Sequence, residues 1–254
     1  MGKNEPLEEI QAANESQVEK VTLRLRQMVL EGEFPPGSRI AEIPIAQRLG
    51  VSRTPVRLAL GILKQEGLLL STPRRGFTVR EITVEEIIDA FEVRGALEGL
   101  ACRLAIEKGL KAATRTALEQ CLAQAQQLLE KQHIAESDTQ DWSAVNARFH
   151  AEIIAAAGNQ PLSSAFAHNG RLPLVGPGAL AFFGDLDSFL PMMRQAHNDH
   201  KDLYDALSKG QASRAQALAP EHAYRSGENL RVLLARAIAR RSAPPVPGLN
   251  LIVG

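Results

Sequence analysis

The sequence is poor in cysteine, carries no formal net charge and contains no long apolar run, and each absence removes a class of protein. Only Cys102 and Cys121 occur in 254 residues. Both fall on segments of helical periodicity without metal-like spacing, so they read as core-filling residues rather than a disulfide. A reducing cytoplasm is the expected compartment. No apolar stretch approaches the roughly 18 residues that a membrane span needs, and the acidic, polar N-terminus lacks the charged-then-apolar order of a secretion signal. No membrane partner is expected. Internal repeats are absent too, and residues 81–240 hold no convincing strand.

The zero charge is a sum of unlike parts. From Ser16 to Arg80 eleven Lys/Arg face five Asp/Glu, whereas residues 81–254 hold seventeen basic and twenty acidic residues. A basic head on a mildly acidic body suits a nucleic-acid binder that carries a separate module. With 44% hydrophobic residues, the chain has material for two cores, and two domains are expected.

The polar residues 1–15 read as a loose tail. Val18, Val21, Leu25, Met28 and Val29 then recur at helical spacing up to Gly32, with Ser16 and Glu19 in the form of a capping box. A short helix over Ile43–Leu49 closes at Gly50. Ser52 can cap the next helix, where Pro55 falls in the first turn and loses no backbone partner. There Val56, Ala59, Leu60 and Leu63 form the inward stripe, and Arg53, Thr54, Arg57 and Lys64 face out. Leu68–Ser71, the turn Thr72-Pro73-Arg74-Arg75-Gly76 and Phe77–Arg80 read as a two-stranded hairpin. Three helices followed by a hairpin is the order of a winged helix-turn-helix.

Downstream, helical periodicity runs over 84–109, 112–133, 138–157, 162–169, 186–207 and 212–240, broken by Gly, Pro or Asn. The fold class is therefore mainly α, a winged helix-turn-helix over 16–80 followed by an all-α bundle over 81–240. Residues 241–254, rich in Pro and Gly, read as a flexible tail.

A helix that reads DNA needs side chains able to reach base edges in the major groove, and Arg bidentate to guanine is the commonest such contact. Arg53 and Arg57 have that chemistry at a spacing of one turn. Ser52, Thr54 and the N–H groups of the helix start can hold phosphates, and Arg74 and Arg75 beside Gly76 can reach phosphate or the minor groove.

The stretch Leu49-Gly-Val-Ser-Arg-Thr-Pro-Val-Arg57, with Leu60, Leu63, Glu66-Gly67-Leu68 and Pro73-Arg74-Arg75-Gly76-Phe77, resembles the DNA-binding domain of the GntR family of bacterial transcription regulators. The resemblance implies that Ser52, Arg53, Thr54, Pro55 and Arg57 open the recognition helix and that Gly76 enters the minor groove. Leu58 and Gly61 depart from the family, which usually carries Glu and a larger residue there.

In the helical part, Asn146 and His150 project from one helix face, and His200 and His222 lie on two later helices. Converging imidazoles with an oxygen donor form the ligand set of zinc or another divalent transition metal; scattered structural or exposed histidines are the alternative. Glu92-Val93-Arg94 with Leu97-Glu98, Phe149-His150, Ala156-Ala157-Gly158-Asn159, Asp199-His200 and Glu221-His222 resemble the FadR subgroup and its all-helical FCD ligand-binding domain. In many members an Asp four residues before the first His joins three histidines on the metal. The resemblance puts His150, His200 and His222 on those positions and Asn146 in place of the Asp. A neutral amide there either weakens the metal or leaves the site one charge more positive, which favours an anionic effector. His197 is a substitute ligand or a surface residue, Arg94 pairs with an effector carboxylate or with Glu98, and Trp142 and Phe149 fill the core.

The expectation is a homodimeric DNA-binding regulator, a repressor by preference, that reads a short palindromic operator under control of a small organic acid. A metal-dependent hydrolase and a metal sensor are the competing readings. The hydrolase lacks an evident general base and leaves the basic head without a role, so no enzyme is expected.

Overall fold

The computed structural model describes residues 7–72, 76–179, 186–240 and 248–253, and these fall into two compact units. One ends at Thr83 and includes residues 248–253; the other begins at Val84.

The first unit is built on α1 (Leu7–Leu30), β1 (Arg39–Ile40), α2 (Glu42–Leu49), α3 (Arg53–Gln65), β2 (Leu69–Thr72), β3 (Gly76–Val79) and β4 (Ile82–Thr83). Helix α1 starts nine residues before Ser16, so part of the expected loose tail is helical and Ser16 is no cap. Glu, Gln and Ala are strong helix formers, and Glu8 to Ala13 consists of them apart from Ile10. Leu25, Met28 and Val29 of α1 pack in the same core as Val56, Ala59, Leu60 and Leu63, the inward stripe of α3. Arg26 seals that contact with two hydrogen bonds to Glu66, at 2.9 and 2.6 Å.

Gly50 ends α2 in the left-handed conformation at φ 66°, which costs glycine little and lets the chain turn directly into α3. Ser52 takes the extended N-cap backbone, but its hydroxyl makes no capping hydrogen bond. The hairpin pairs Leu69 with Val79 and Thr72 with Gly76. A strand not expected from the sequence, β1, completes a three-stranded sheet in the order β1-β3-β2. The residues between Thr72 and Gly76, including Arg74 and Arg75, lie outside the described residues.

The chain's last segment contradicts the expected flexible tail. A 3₁₀ turn at Leu249–Leu251 leads into β5 (Ile252–Val253), which pairs in parallel with β4. Leu251 is fully buried, Asn250 donates to the Val29 carbonyl at 3.0 Å, and the Gly248 N–H reaches the Leu30 carbonyl at 3.1 Å. Burial of the apolar end outweighs the local flexibility of the Pro/Gly composition.

The second unit is the expected helical bundle, with α4 (Val84–Glu107), α5 (Ala112–Leu129), α6 (Glu136–Ala156), α7 (Gln160–Asn169), α8 (Leu190–Ser208) and α9 (Ala212–Arg240). Helices α4 and α9 approach closely along glycines. A Cβ added to Gly99 would lie 2.6 Å from the Gln216 carbonyl, and one on Gly95 would lie 2.8 Å from the Pro220 Cα. Pro220 sits inside α9 and has no N–H to give the Gln216 carbonyl, so that carbonyl is left to face α4. Phe149, Leu203, Leu207 and both cysteines fill the larger core, and Trp142, Phe189 and Met193 anchor a second cluster. The cysteines are free and buried, as their spacing predicts, and burial pushes the Cys102 thiol up to about 12.

Candidate functional site

Two sets of side chains carry chemistry, one in each unit. On the first unit, Ser52, Arg53, Thr54 and Arg57 are exposed at the start of α3, while Pro55 is buried beneath them. Both arginines converge on Glu42 of α2. Arg57 donates from Nε to Oε1 and from Nη2 to Oε2, each at 3.0 Å, and Arg53 Nη2 lies 3.3 Å from Oε2. The Arg57 hydrogen bond, ahead of the opposing cost of burial, holds the Glu42 carboxyl below its ordinary pKa. Sequence reading missed this pairing because Glu42 lies fifteen residues from Arg57 and only the turn at Gly50 brings them together. Gly76 opens β3 at φ 81°, a backbone only glycine adopts freely.

In the second unit the three histidines meet. His150 on α6, His200 on α8 and His222 on α9 are buried and offer ring nitrogens that all lie within 4.8 Å of one another. His150 Nδ1 lies 2.9 Å from Glu98 Oε1, and His222 Nδ1 lies 3.2 Å from Asp199 Oδ2. A carboxylate accepts only a proton-bearing nitrogen, so both rings carry a hydrogen on Nδ1 and turn Nε2 inward. His222 Nε2 then faces His200 Nε2 at 3.3 Å. Phe149 stacks on His200, ring centroids 4.3 Å apart, and fixes that imidazole in place.

Burial pushes His150 down to about 4 against the pull of Glu98, and holds His200 well below the ordinary imidazole range. At neutral pH these rings are neutral donors. Burial works to raise Glu98, but Arg94 and His150 overcome it and hold the carboxyl well below the usual carboxylate range. Asp199 is likewise held low against burial by His222, Gln195 and Arg225.

These residues fit a divalent transition metal. Three converging imidazoles, two of them with the far nitrogen fixed by Glu98 and Asp199, are the donor set such an ion takes. Glu98 Oε2 is also buried without a hydrogen-bond partner among the described residues, a negative spot that a nearby cation would offset.

Asn146, one turn before His150, gives its amide NH₂ to the Pro177 carbonyl, which leaves Oδ1 as the atom available to a cation. Arg94 is buried in a fork. Its Nε donates to Glu98 at 3.0 Å and Nη1 to the Val175 carbonyl at 3.1 Å, while Nη2 lies 3.4 Å from His150 Nε2. The pairing with Glu98 is therefore present, and the same guanidinium borders a cavity that Asn146 and His222 also line. His197 is neither a surface residue nor a member of the cluster. It is buried with Nε2 3.1 Å from Gln126 Oε1, because three residues along a helix turn it about 60° off the His200 direction. Glu98 and Asp199 were visible in the sequence only as parts of motifs; their role in setting the imidazole tautomers needs the fold.

Residues 17–79 match the family model of bacterial regulatory proteins, gntR family, and residues 89–225 match the FCD domain. The chain is 30% identical over 195 residues, 76% of its length and 80% of the relative's, to a probable D-xylose utilization operon transcriptional repressor of Paenarthrobacter nicotinovorans. It is also 30% identical over 147 residues to the HTH-type transcriptional regulator YdhC of Bacillus subtilis, a match that spans 57% of this chain and 62% of that one. The solved structure of E. coli McbR/YncC shares the fold with a TM-score of 0.56 at 24% identity, covering 87% of this chain and 98% of that one. Among the described residues no helix is long and apolar enough to cross a membrane. The chain belongs to the GntR family of bacterial transcriptional regulators, with a winged helix-turn-helix DNA-binding domain followed by an FCD domain.

Proposed function

We propose that the protein is a homodimeric repressor that leaves a short palindromic operator when a small organic acid enters a metal-containing pocket of the helical domain. The observation that carries this reading is the buried His150–His200–His222 cluster, of which His222 borders the same cavity as Arg94 and Asn146. His150, His200 and His222 would hold a divalent transition metal, zinc by preference, with Asn146 Oδ1 as a neutral fourth donor. Such an ion supplies a fixed positive charge and a place for a carboxylate oxygen. With Asn146 neutral, that charge is less compensated than with an Asp, and Arg94 adds a second cation at the same cavity wall. Both features favour an anion.

At the other end, Arg53 and Arg57 read base edges while Ser52, Thr54 and the α3 N-terminus hold phosphate. Pro55 shapes the first turn, and Arg74, Arg75 and Gly76 form the wing contact. Two copies related by a twofold axis read the two halves of a palindrome.

Metal analysis of purified protein tests the pocket. About one zinc or similar ion per chain is expected, lost in His200→Ala and held roughly 10- to 100-fold more weakly in Asp199→Ala. Full metal content in His200→Ala would remove the cluster from the metal site. Operator affinity that follows free metal and ignores every acid would instead favour a metal sensor.

A further inference from the structure

Helix α3 carries no Asp or Glu between Arg53 and Gln65, yet its outward side is not wholly polar. At about 100° per residue, the buried stripe Val56, Ala59, Leu60 and Leu63 takes one side of the helix, and Arg53, Thr54, Arg57, Leu58, Gly61 and Lys64 take the other. A basic face without a carboxylate of its own suits a groove lined by phosphates. Leu58 is 53% exposed on that face, one turn on from Thr54 and about 100° around the helix from Arg57. A single exposed leucine is ordinary on a protein surface, but this one stands among the side chains assigned to base reading.

Gly61, three residues further along, is the second feature that the chain's own packing does not require. It lies inside α3, where glycine costs stability relative to alanine. Its φ is not positive, and a Cβ built on it would meet nothing within 4 Å among the described residues. Gly50, Gly109 and Gly210 have the same open space, but each has a positive φ that favours glycine. Gly95 and Gly99 have the opposite reason, because a Cβ there would run into α9. At Gly61 neither reason applies. What the missing side chain does provide is a bare patch of helix surface, open to a partner from outside and adjoining Leu58.

The chemistry of the two residues narrows what that partner presents. Leucine has no donor or acceptor, so it cannot read the nitrogen and oxygen pattern of a base edge. The apolar group that the major groove offers is the 5-methyl of thymine. We infer that Leu58 reads a thymine methyl group in each operator half-site, with Gly61 leaving the helix bare so that the base pair approaches closely. The inference rests on the operator reading proposed above for Arg53 and Arg57, and adds a specificity-determining residue that selects an A·T pair at one position of the half-site.

The test selects an operator from random duplexes with the full-length protein, then replaces each thymine in turn by deoxyuridine, which pairs alike but lacks the methyl group. At one thymine of the half-site the replacement is expected to weaken binding about fourfold, the worth of one buried methyl-sized group. In Leu58→Ala, an exposed position where alanine is a good helix former, the same replacement is expected to change nothing. Gly61→Gln has room for its side chain in the free protein and should raise the urea midpoint. It should also weaken operator binding about tenfold, as one mismatched base pair does. The inference is overturned if no thymine is sensitive, if the sensitivity survives in Leu58→Ala, or if Gly61→Gln binds the operator as the parent does. In each of those cases a loss of operator affinity in Arg57→Ala would leave the operator reading intact. If the selection enriches no sequence, the operator reading falls and the inference with it.

Discussion

Arg57 and Glu42 form a two-point ion pair across the turn between α2 and α3, with both contacts at 3.0 Å. The pair is exposed on the Arg57 side, so its contribution to stability is small. Its consequence is for recognition. Glu42 holds two arginines in one orientation, and if they read bases as proposed, a base edge must compete with its carboxylate. Arg57→Ala is expected to weaken specific operator binding by about 1 to 3 kcal/mol. Fluorescence anisotropy on an operator selected from random duplexes measures it, and unchanged affinity would remove Arg57 from the reading set. Glu42→Gln removes a negative charge beside the proposed DNA-reading arginines, so binding to random duplex should tighten and the specific-to-random ratio should fall.

The helix that carries Asn146 and His150 starts at a titratable cap. Asp138 accepts the Ala135 N–H at 2.9 Å and pairs with Lys131. The Lys131 hydrogen bond, then the backbone one, holds the Asp138 carboxyl below its ordinary pKa. A depressed carboxylate pKa stabilises the fold above the unfolded value near ~3.8, and the effect disappears as pH falls through the folded value. Asp138→Ala should therefore cost about 1 kcal/mol in urea unfolding at pH 7. The gap to the parent protein should narrow below about pH 4. A gap that stays constant with pH would show that the carboxylate charge is not what matters.

Much of this fold was legible because one signal, apolar periodicity, dominates it. The stripe Val56, Ala59, Leu60 and Leu63 is buried as its spacing predicts, and the six expected helices of the second unit appear within a few residues of their expected bounds. The failures share a cause. The region before Ser16 and the segment 248–253 have weak or mixed local signals, and their structure depends on helix propensity and on burial against distant residues. At the candidate site the histidine positions came from resemblance, whereas the tautomer-setting partners Glu98 and Asp199 and the Arg57–Glu42 pair are tertiary facts. No local pattern encodes a contact between residues fifteen or fifty apart.

The returning C-terminal segment gives a separate test. Leu251 is fully buried in the DNA-binding unit, and truncating a buried leucine to alanine costs roughly 2 to 5 kcal/mol. Leu251→Ala should lower the stability of that unit, read by urea denaturation, while metal content stays at the parent level. No change in stability would mean that residues 248–253 contribute nothing to the unit.

The central claim is that occupancy of the histidine cavity controls operator affinity through Arg94 and the metal. It is tested most directly by measuring operator binding of the full-length protein with and without saturating carboxylic acid, in the parent and in Arg94→Met. At least one acid from a panel of benzoate, phenylacetate, 4-methylpentanoate, gluconate and citrate should weaken parental binding by about 5- to 150-fold, the usual range of allosteric coupling, and should leave Arg94→Met unaffected. If no acid shifts operator affinity, or if the shift is undiminished in Arg94→Met, the claim is contradicted.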